Sequence, residues 1–286
     1  MPWIRRGELE RLSADIRRII DGQAPDLRDN LEGQLSILKN DIHTLAGKLK
    51  EESANLAREK AAMADTLADI SHQLKTPLTA MMVMADLLET APPERAAGFI
   101  HNLKKGLVQT GWLANALLKM AKLESGSVVF SPGEITAGAL ADAALQPLQI
   151  LLDIKGQRVE WQSGSAPTSK DAPWETRLYC DKNWTAEALT NIIKNASEHS
   201  PENSVITLSA GENPLCRWVS VADAGAGIPQ EMMRGLFQRF GGGRDGDKQG
   251  HGIGLPLAMA ILRGQNGDIS VENRNGAGAV FMLKFY

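Results

Sequence analysis

One histidine lies in a helical pattern that contains a proline: His72, in the run Ile70-Ser71-His72-Gln73-Leu74-Lys75-Thr76-Pro77-Leu78. Ile70 and Leu74 belong to the apolar face, so His72 is expected to point away from it toward solvent. An imidazole nitrogen is a nucleophile near neutral pH. Pro77 removes a helical hydrogen bond and favours a kink one turn later. This proline makes the run a candidate nucleophilic site, whereas a lone helical histidine is most often an ordinary surface residue.

A second group of polar residues follows helical spacing further along the chain. Glu187, Asn191 and Asn195 are four residues apart, which places three oxygen-bearing side chains on one helix face. Amide oxygens can share Mg²⁺ with phosphate oxygens. The pattern is therefore a candidate metal and phosphate site, and a solvated helix face is the ordinary alternative.

Two glycine-rich runs follow: Asp223-Ala224-Gly225-Ala226-Gly227-Ile228-Pro229 and Gly250-His251-Gly252-Ile253-Gly254-Leu255. Glycine lets the backbone approach a nucleotide, and a glycine-rich turn that opens a helix offers N–H groups to phosphate. No strand pattern directly precedes the second run, which argues against a Rossmann site, and the chain has no P-loop motif. The runs predict a nucleotide site of another type, although an Asp-x-Gly-x-Gly run alone is more often a turn.

Two long helical patterns must position the histidine. Apolar residues recur at steps of three, four or seven from Leu38 to Met81 and again from Ile100 to Leu117, which indicates two amphipathic helices. The run Ala91-Pro92-Pro93-Glu94 breaks the pattern between them. Such a hairpin usually pairs with its own copy into a four-helix bundle, so we expect a homodimer. A shorter helical pattern covers residues 8–30.

From about residue 127 the pattern changes to helices that alternate with short β-like runs. We predict helices over residues 134–154, 183–200 and 254–264. The predicted strands cover residues 127–130, 158–161, 205–208, 218–221 and 279–283. This mixture predicts an α/β sandwich, in which helices cover one sheet.

Composition sets the broad class of the protein. A length of 286 residues suggests two domains, and the net charge of −3 argues against a nucleic-acid binder held by phosphate electrostatics. Only Cys180 and Cys216 are present, which fits a reducing, cytoplasmic setting. No run of about 18 apolar residues exists, so the chain is expected to be soluble. The run Trp3-Ile4-Arg5-Arg6 nevertheless looks like the inner end of a membrane helix.

The order of these features is more specific than any one of them. The histidine run, the segment from Asn191 to Asn195, the first glycine run, Leu236-Phe237-Gln238-Arg239-Phe240 and the second glycine run succeed one another along the chain. Over about residues 35–286 the sequence thereby resembles the sensor histidine kinases of two-component signalling, whose phosphoacceptor, Asn, first glycine, Phe and second glycine boxes these runs match. The resemblance implies an all-α dimeric helical hairpin followed by an α/β sandwich ATP-binding domain.

The resemblance also implies domains and a location. Residues 1–50 resemble a HAMP-like signal-relay linker, residues 51–125 the dimerisation and histidine phosphotransfer domain, and residues 126–286 the catalytic ATP-binding domain. A hinge near Ser125 to Pro132 would let donor and acceptor meet. The chain would lie on the cytoplasmic side of the cell membrane, attached through an N-terminal segment that this chain lacks.

Roles follow from the same resemblance. His72 would take the γ-phosphoryl group of ATP, next to Gln73, and Thr76 matches the position linked to a phosphatase reaction. Asp223 would accept a hydrogen bond from the adenine amino group, and Asn195 would be the Mg²⁺ ligand. The other residues assigned to the nucleotide site are Asn191, Lys194, His199, Gly225, Gly227, Ile228, Phe240, Gly250, Gly252, Gly254 and Leu255. The phosphoryl group would then pass to an aspartate of a response regulator.

Two residues depart from the family pattern, and two alternatives stay open. Gln73 stands where many members carry a Glu or Asp general base, and Glu198 stands where Lys or Arg is frequent. Related gyrase-like and heat-shock ATPases use a glutamate at the position of Asn191 to activate water. An amide cannot act as that base, so transfer is favoured over hydrolysis. The other alternative is a catalytically weak dimeric scaffold or a member that acts chiefly as a phosphatase.

Overall fold

The computed structural model describes residues 10, 13–14, 16–18, 34–162, 172–239, 252–274 and 278–286. The chain divides into two compact units, Met1–Ile70 and Ser71–Tyr286. The Trp3-Ile4-Arg5-Arg6 run, most of the helical pattern predicted over residues 8–30, Phe240 and Gly250 lie outside the described residues.

Two long helices confirm the predicted hairpin: α1, Gln34–Thr90, and α2, Pro93–Glu124. Pro92 caps α2 with an extended backbone and Pro93 occupies its first turn, where the missing N–H group would have had no helical partner. Pro77 lies inside α1. Within the second unit the helices approach closely, because a Cβ added at Gly106 of α2 would lie 2.8 Å from Cγ of Met81.

Both units expose large apolar side chains along these helices. In the first unit the exposed set includes Leu38, Leu45, Leu49, Leu56, Met63 and Leu67. In the second it includes Leu78, Met82, Val83, Leu87, Leu107, Val108 and Leu118. An exposed apolar surface of this extent is typical of an interaction surface.

The C-terminal part confirms the predicted α/β sandwich. Its strands are β1 Gly133–Thr136, β2 Arg158–Trp161, β3 Arg177–Cys180, β4 Val205–Glu212, β5 Arg217–Ala222, β6 Gly267–Asn273 and β7 Ala279–Phe285. The main sheet has the strand order β2-β4-β5-β7-β6 and a separate ladder joins β1 and β3. Strands β2 and β4 pair in parallel and the other neighbours are antiparallel. The helices are α3 Ala137–Leu145, α4 Gln149–Ile154, α5 Lys182–His199, α6 Gln230–Met233 and α7 Gly254–Arg263, with 3₁₀ turns at Gln146–Leu148 and Pro173–Glu175.

Two predictions near the start of this domain were wrong. Residues 127–130 form no strand, because Ser127 closes the end of α2 through Lys122 O and Phe130 packs edge-to-face on Trp184. The helix predicted over residues 134–154 begins as strand β1, and its helical part is divided by the 3₁₀ turn that holds Pro147. Strands β3 and β6 were not predicted.

A second apolar face of α2 was also missed. Leu113, Ala116 and Met120 are buried and belong to the same hydrophobic cluster as α5 and α7, whereas the predicted pattern used Ala114 and Leu117. The buried positions follow helical spacing. Helix α2 therefore has one face in the core of the second unit and another, containing Leu107 and Leu118, that is exposed.

Candidate functional site

His72 is exposed on α1, as the sequence predicted. It lines a groove of about 710 Å³ between the two helices, together with Thr76, Thr79, Phe99 and Asn102. Because the groove is open to solvent, the imidazole is accessible to a second molecule.

The residues beside His72 belong to one helical turn. Thr76 Oγ1 donates a hydrogen bond to the carbonyl oxygen of His72 at 3.2 Å, and Gln73 is half-buried. Thr76 therefore places a hydroxyl group in the same groove as the imidazole. The local arrangement supplies a nucleophile and a neighbouring hydroxyl, while Gln73 carries an amide where a carboxylate could have accepted a proton.

Asp223 is buried directly after β5 and its carboxylate has a defined orientation. The Asp223 N–H donates to Ala279 O of β7 at 3.0 Å, and Oδ1 accepts from the Gly225 N–H at 2.9 Å. Among the described residues no hydrogen bond to the second carboxylate oxygen, Oδ2, is found, and this oxygen can accept one from a ligand. A buried acceptor of this kind suits an amino group of a base.

Gly278 forms one wall beside Asp223 and was missed in the sequence. Its φ is +83°, and an added Cβ would lie 2.2 Å from Asp223 O and 2.5 Å from Asp223 Oδ1. A side chain would therefore be strained and would overlap the carboxylate. The run Asn275-Gly276-Ala277-Gly278 was a usable signal in the sequence, but its proximity to Asp223 depends on the pairing of β5 with β7.

Helix α5 brings one of the predicted amides, Asn191, next to the start of α7. Asn191 is buried, its Nδ2 donates to Glu187 O at 3.0 Å, and a Cβ added at Gly254 would lie 3.3 Å from its Oδ1. Asn195, one turn further along α5, is half-buried. The N-cap residue of α7, Ile253, makes no side-chain cap hydrogen bond, and the first turn of the helix holds no acidic residue. Its leading N–H groups are therefore suited to an anion.

Two charged residues of α5, Glu187 and Lys194, contact α2. Glu187 Oε1 lies 2.9 Å from Lys119 Nζ, so one oxygen of its carboxylate is paired with a cation of α2. Lys194 Nζ lies 4.5 Å from the centroid of the Trp112 ring and 3.8 Å from Glu198 Oε1. Burial raises the pKa of Glu198, and the neighbouring Lys194 partly opposes this.

The other predicted residues occupy different environments. The side chain of His199 is exposed, but its carbonyl lies beside Gly225, since a Cβ there would be 2.5 Å from it. Leu255 is buried in the core, Gly252 precedes α7 with a φ of +62°, and Ile228 pairs with Asn273. Gly227 lies next to the same asparagine.

The donor set of the described residues fits Mg²⁺ that is shared with phosphate. These residues contain no group of three or more His, Cys, Asp or Glu side chains that could hold a metal ion. Asn195 and Asn191 offer amide oxygens on α5. Mg²⁺ is usually held by one or two protein ligands together with water and phosphate oxygens, and that is the kind of site that these amides can serve.

Comparisons with known proteins divide the chain in the same way. Residues 62–126 match the family model of the His Kinase A (phospho-acceptor) domain. Residues 180–286 match that of the Histidine kinase-, DNA gyrase B-, and HSP90-like ATPase. Sensor-like histidine kinase SenX3 of Mycobacterium tuberculosis strain H37Rv is 25% identical over 259 residues, 89% of this chain and 61% of SenX3. The chain thus spans less than two thirds of this relative.

Solved structures share the fold. Acinetobacter baumannii histidine kinase AdeS aligns with a TM-score of 0.60 at 20% identity, over 75% of this chain and 96% of AdeS. Histidine kinase ThkA in complex with response regulator protein TrrA aligns with a TM-score of 0.62 at 18% identity, over 82% of this chain and 65% of that one. At these identities the likeness shows the fold alone. Within the described part of the chain, no helix has the length and apolar character needed to cross a membrane.

Proposed function

This chain belongs to the sensor histidine kinases of two-component signalling, and on that premise we propose that it transfers the γ-phosphoryl group of ATP to His72 and then to an aspartate of a response regulator. The observation that carries the proposal is the oriented carboxylate of Asp223, packed against Gly278 and fixed by Gly225. It suits the amino group of adenine. The exposed imidazole of His72 would accept the phosphoryl group that ATP bound at this site donates.

The two sites divide the work of phosphoryl transfer. Asp223 would orient the base, while the N–H groups at the start of α7 and the amides of Asn191 and Asn195 would hold the phosphates. Bound Mg²⁺ would neutralise phosphate charge, with Asn195 among its ligands. Transfer itself requires chiefly alignment and charge stabilisation from the protein.

At the acceptor, a nitrogen of His72 forms a bond to the γ-phosphorus while the bond to the β–γ bridging oxygen breaks and ADP leaves. The Gln73 amide can accept a hydrogen bond from the imidazole but cannot take its proton, so the proton passes to solvent in the open groove. We therefore expect a slow but real autophosphorylation of the wild-type chain.

The hinge expected near Ser125 to Pro132 includes residues that contact the ATP-binding domain. Ser131 N–H donates to Asp181 Oδ2 at 2.9 Å, and Phe130 packs on Trp184 with ring centroids 5.9 Å apart. Both residues are thereby anchored to the ATP-binding domain. Since Ser127 is bonded to the end of α2, bending would be concentrated at residues 128 and 129, where Val129 is exposed, and this motion would bring ATP to His72.

The partners follow from the exposed surfaces and the relatives. A homodimer would cover the apolar residues along α1 and α2, which the single chain leaves exposed. A receiver domain would reach His72 through the open groove, as the complex of ThkA with a response regulator suggests. Attachment to the membrane would come from an N-terminal segment, and the HAMP-like linker of residues 1–50 would relay its signal.

Thr76 supports a second activity, the removal of the phosphoryl group from the regulator. Its hydroxyl lines the same groove as His72 and can align a water molecule there. The exposed position serves both the transfer of the phosphoryl group to the regulator and its removal, because either reaction needs the regulator at this turn of α1.

The test is to incubate the chain with Mg²⁺ and γ-labelled ATP. We expect a protein-bound label that is labile in acid and stable in alkali, as a phosphorus–nitrogen bond requires, and that passes to an added receiver domain. ATP binding without any label would contradict the kinase and favour the scaffold, and an acid-stable label would contradict the histidine.

A further inference from the structure

We propose that Asn273 positions the nucleotide-binding loop, defined as residues 223–228, by holding its far end. The inference rests on the proposed ATP-binding function and adds a residue that the sequence did not single out. Asn273 is the last residue of β6. It acts on the nucleotide through the loop rather than by touching it.

The side-chain amide of Asn273 satisfies both backbone groups of Ile228. Its Oδ1 accepts from the Ile228 N–H at 2.8 Å, and its Nδ2 donates to the Ile228 carbonyl at 2.7 Å. Both distances are those of well-formed hydrogen bonds. The side-chain amide of Asn273 thus acts as donor and acceptor at the same time. A carboxylate can only accept, and an apolar side chain can do neither.

Gly227 allows this approach. Its φ is +80°, and an added Cβ would lie 3.1 Å from Asn273 Oδ1. A side chain at this position would be strained and would crowd the amide. Gly227, which the family resemblance assigns to the nucleotide, is therefore also required for Asn273 to reach Ile228.

One residue pair of the β6–β7 ladder, Asn273 and Ala279, binds both ends of the nucleotide-binding loop. Asn273 lies opposite Ala279, and Ala279 O accepts from the N–H of Asp223 at 3.0 Å. Asp223 at the first end and Ile228 at the far end are thus tied to neighbouring residues of one hairpin. Without the amide, the far end would be free and the loop would lose conformational entropy on binding a nucleotide.

The test compares ADP binding by the full chain in the presence of Mg²⁺, measured by calorimetry, for wild type, Asn273→Asp and Asn273→Ala. We expect the Kd to rise on the order of tenfold in both variants. Asn273→Asp is expected to be the weaker binder, because its carboxylate faces the Ile228 carbonyl. Asn183→Asp is the matched control, since Asn183 is exposed at the start of α5, and its Kd should not change.

Kinetics separate positioning from chemistry. In initial-rate labelling of His72, the KM for ATP should rise while kcat stays within about twofold of wild type. A lower melting temperature with an unchanged Kd would show a merely structural role and overturn the proposal. Asn273→Ala introduces no charge and remains measurable if Asn273→Asp does not fold.

The outcome also distinguishes the two proposals. If Asp223→Ala weakens ADP binding and both Asn273 variants bind as wild type does, the positioning role is wrong and the ATP site stands. If the wild-type chain does not bind ADP, the proposed function itself is wrong.

Discussion

The acceptor site and the nucleotide site are built in opposite ways. His72 and Thr76 lie on one exposed turn of α1, where the side chains are accessible and the backbone is stabilised by the hydrogen bonds of the helix. Asp223 is buried and depends on backbone from β7 and from its own loop. Substitution at the first site should remove chemistry alone, whereas substitution at the second should change binding and can also change the fold.

The largest expected effect tests the independence of the two sites. His72→Gln should abolish labelling by γ-labelled ATP and leave ADP affinity unchanged, because the acceptor nitrogen is lost while the pocket is untouched. His101→Gln is the matched control, since His101 is also exposed in the hairpin, and it should label as wild type does. Undiminished labelling of His72→Gln would contradict the acceptor assignment.

The converse substitution affects binding. Asp223→Ala should weaken ADP binding by about 1–3 kcal/mol, or roughly 5- to 150-fold, because the adenine amino group loses its buried acceptor. Calorimetry provides the measurement, with circular dichroism to show that the chain is folded. Asp153→Ala, at an exposed position of α4, should bind normally. Equal affinity for Asp223→Ala and wild type would refute the pocket.

A smaller effect is expected at Gln73, beside the phosphoryl acceptor His72. Gln73→Glu should accelerate labelling of His72 at least several-fold, because a carboxylate can stabilise the attacking imidazole where an amide only orients it. General-base assistance is typically worth ~10²–10⁴-fold, and the amide retains part of it. ATP affinity should not change. The measurement is the initial rate of labelling at saturating ATP. Gln149→Glu is the control, since Gln149 is exposed at the start of α4, and it should label at the wild-type rate. If Gln73→Glu is no faster than wild type, residue 73 is not the base position.

The smallest effect concerns charge buried beside the nucleotide site. Burial raises the pKa of Glu198 above its ordinary value of 4.5, so the native state binds more protons than the unfolded state between the two values. Stability should fall as the pH rises through that window and remain lower above it.

Glu198→Gln removes this cost and should raise the melting temperature at pH 7 by less than about 4 °C. The lost pair with Lys194 spans 3.8 Å and is worth at most about 1 kcal/mol. Melting curves from pH 4 to pH 8 test the sign. A variant less stable than wild type at pH 7 would show that the pair outweighs the burial.

The sequence by itself determined the features that depend on neighbouring residues. Proline pairs end helices locally, so Pro92 and Pro93 located the turn of the hairpin. Helical periodicity located α5 and α7 to within a residue or two, and the spacing around His72 predicted its exposure. The alternation of helical and β-like runs after residue 127 was enough to predict an α/β sandwich after a helical hairpin.

The tertiary structure decided what depends on residues far apart in the chain. Residues 127–130 have the composition of a strand, but Lys122 and Trp184 provide contacts that keep them out of a sheet. The buried face of α2 exists because the ATP-binding domain covers it, and periodicity alone cannot say which of two apolar faces is covered. Gly278 and Asn273 reach the nucleotide-binding loop only after β6, β7 and β5 have paired. Their roles lie in non-local hydrogen bonds and close packing, which local sequence patterns do not encode.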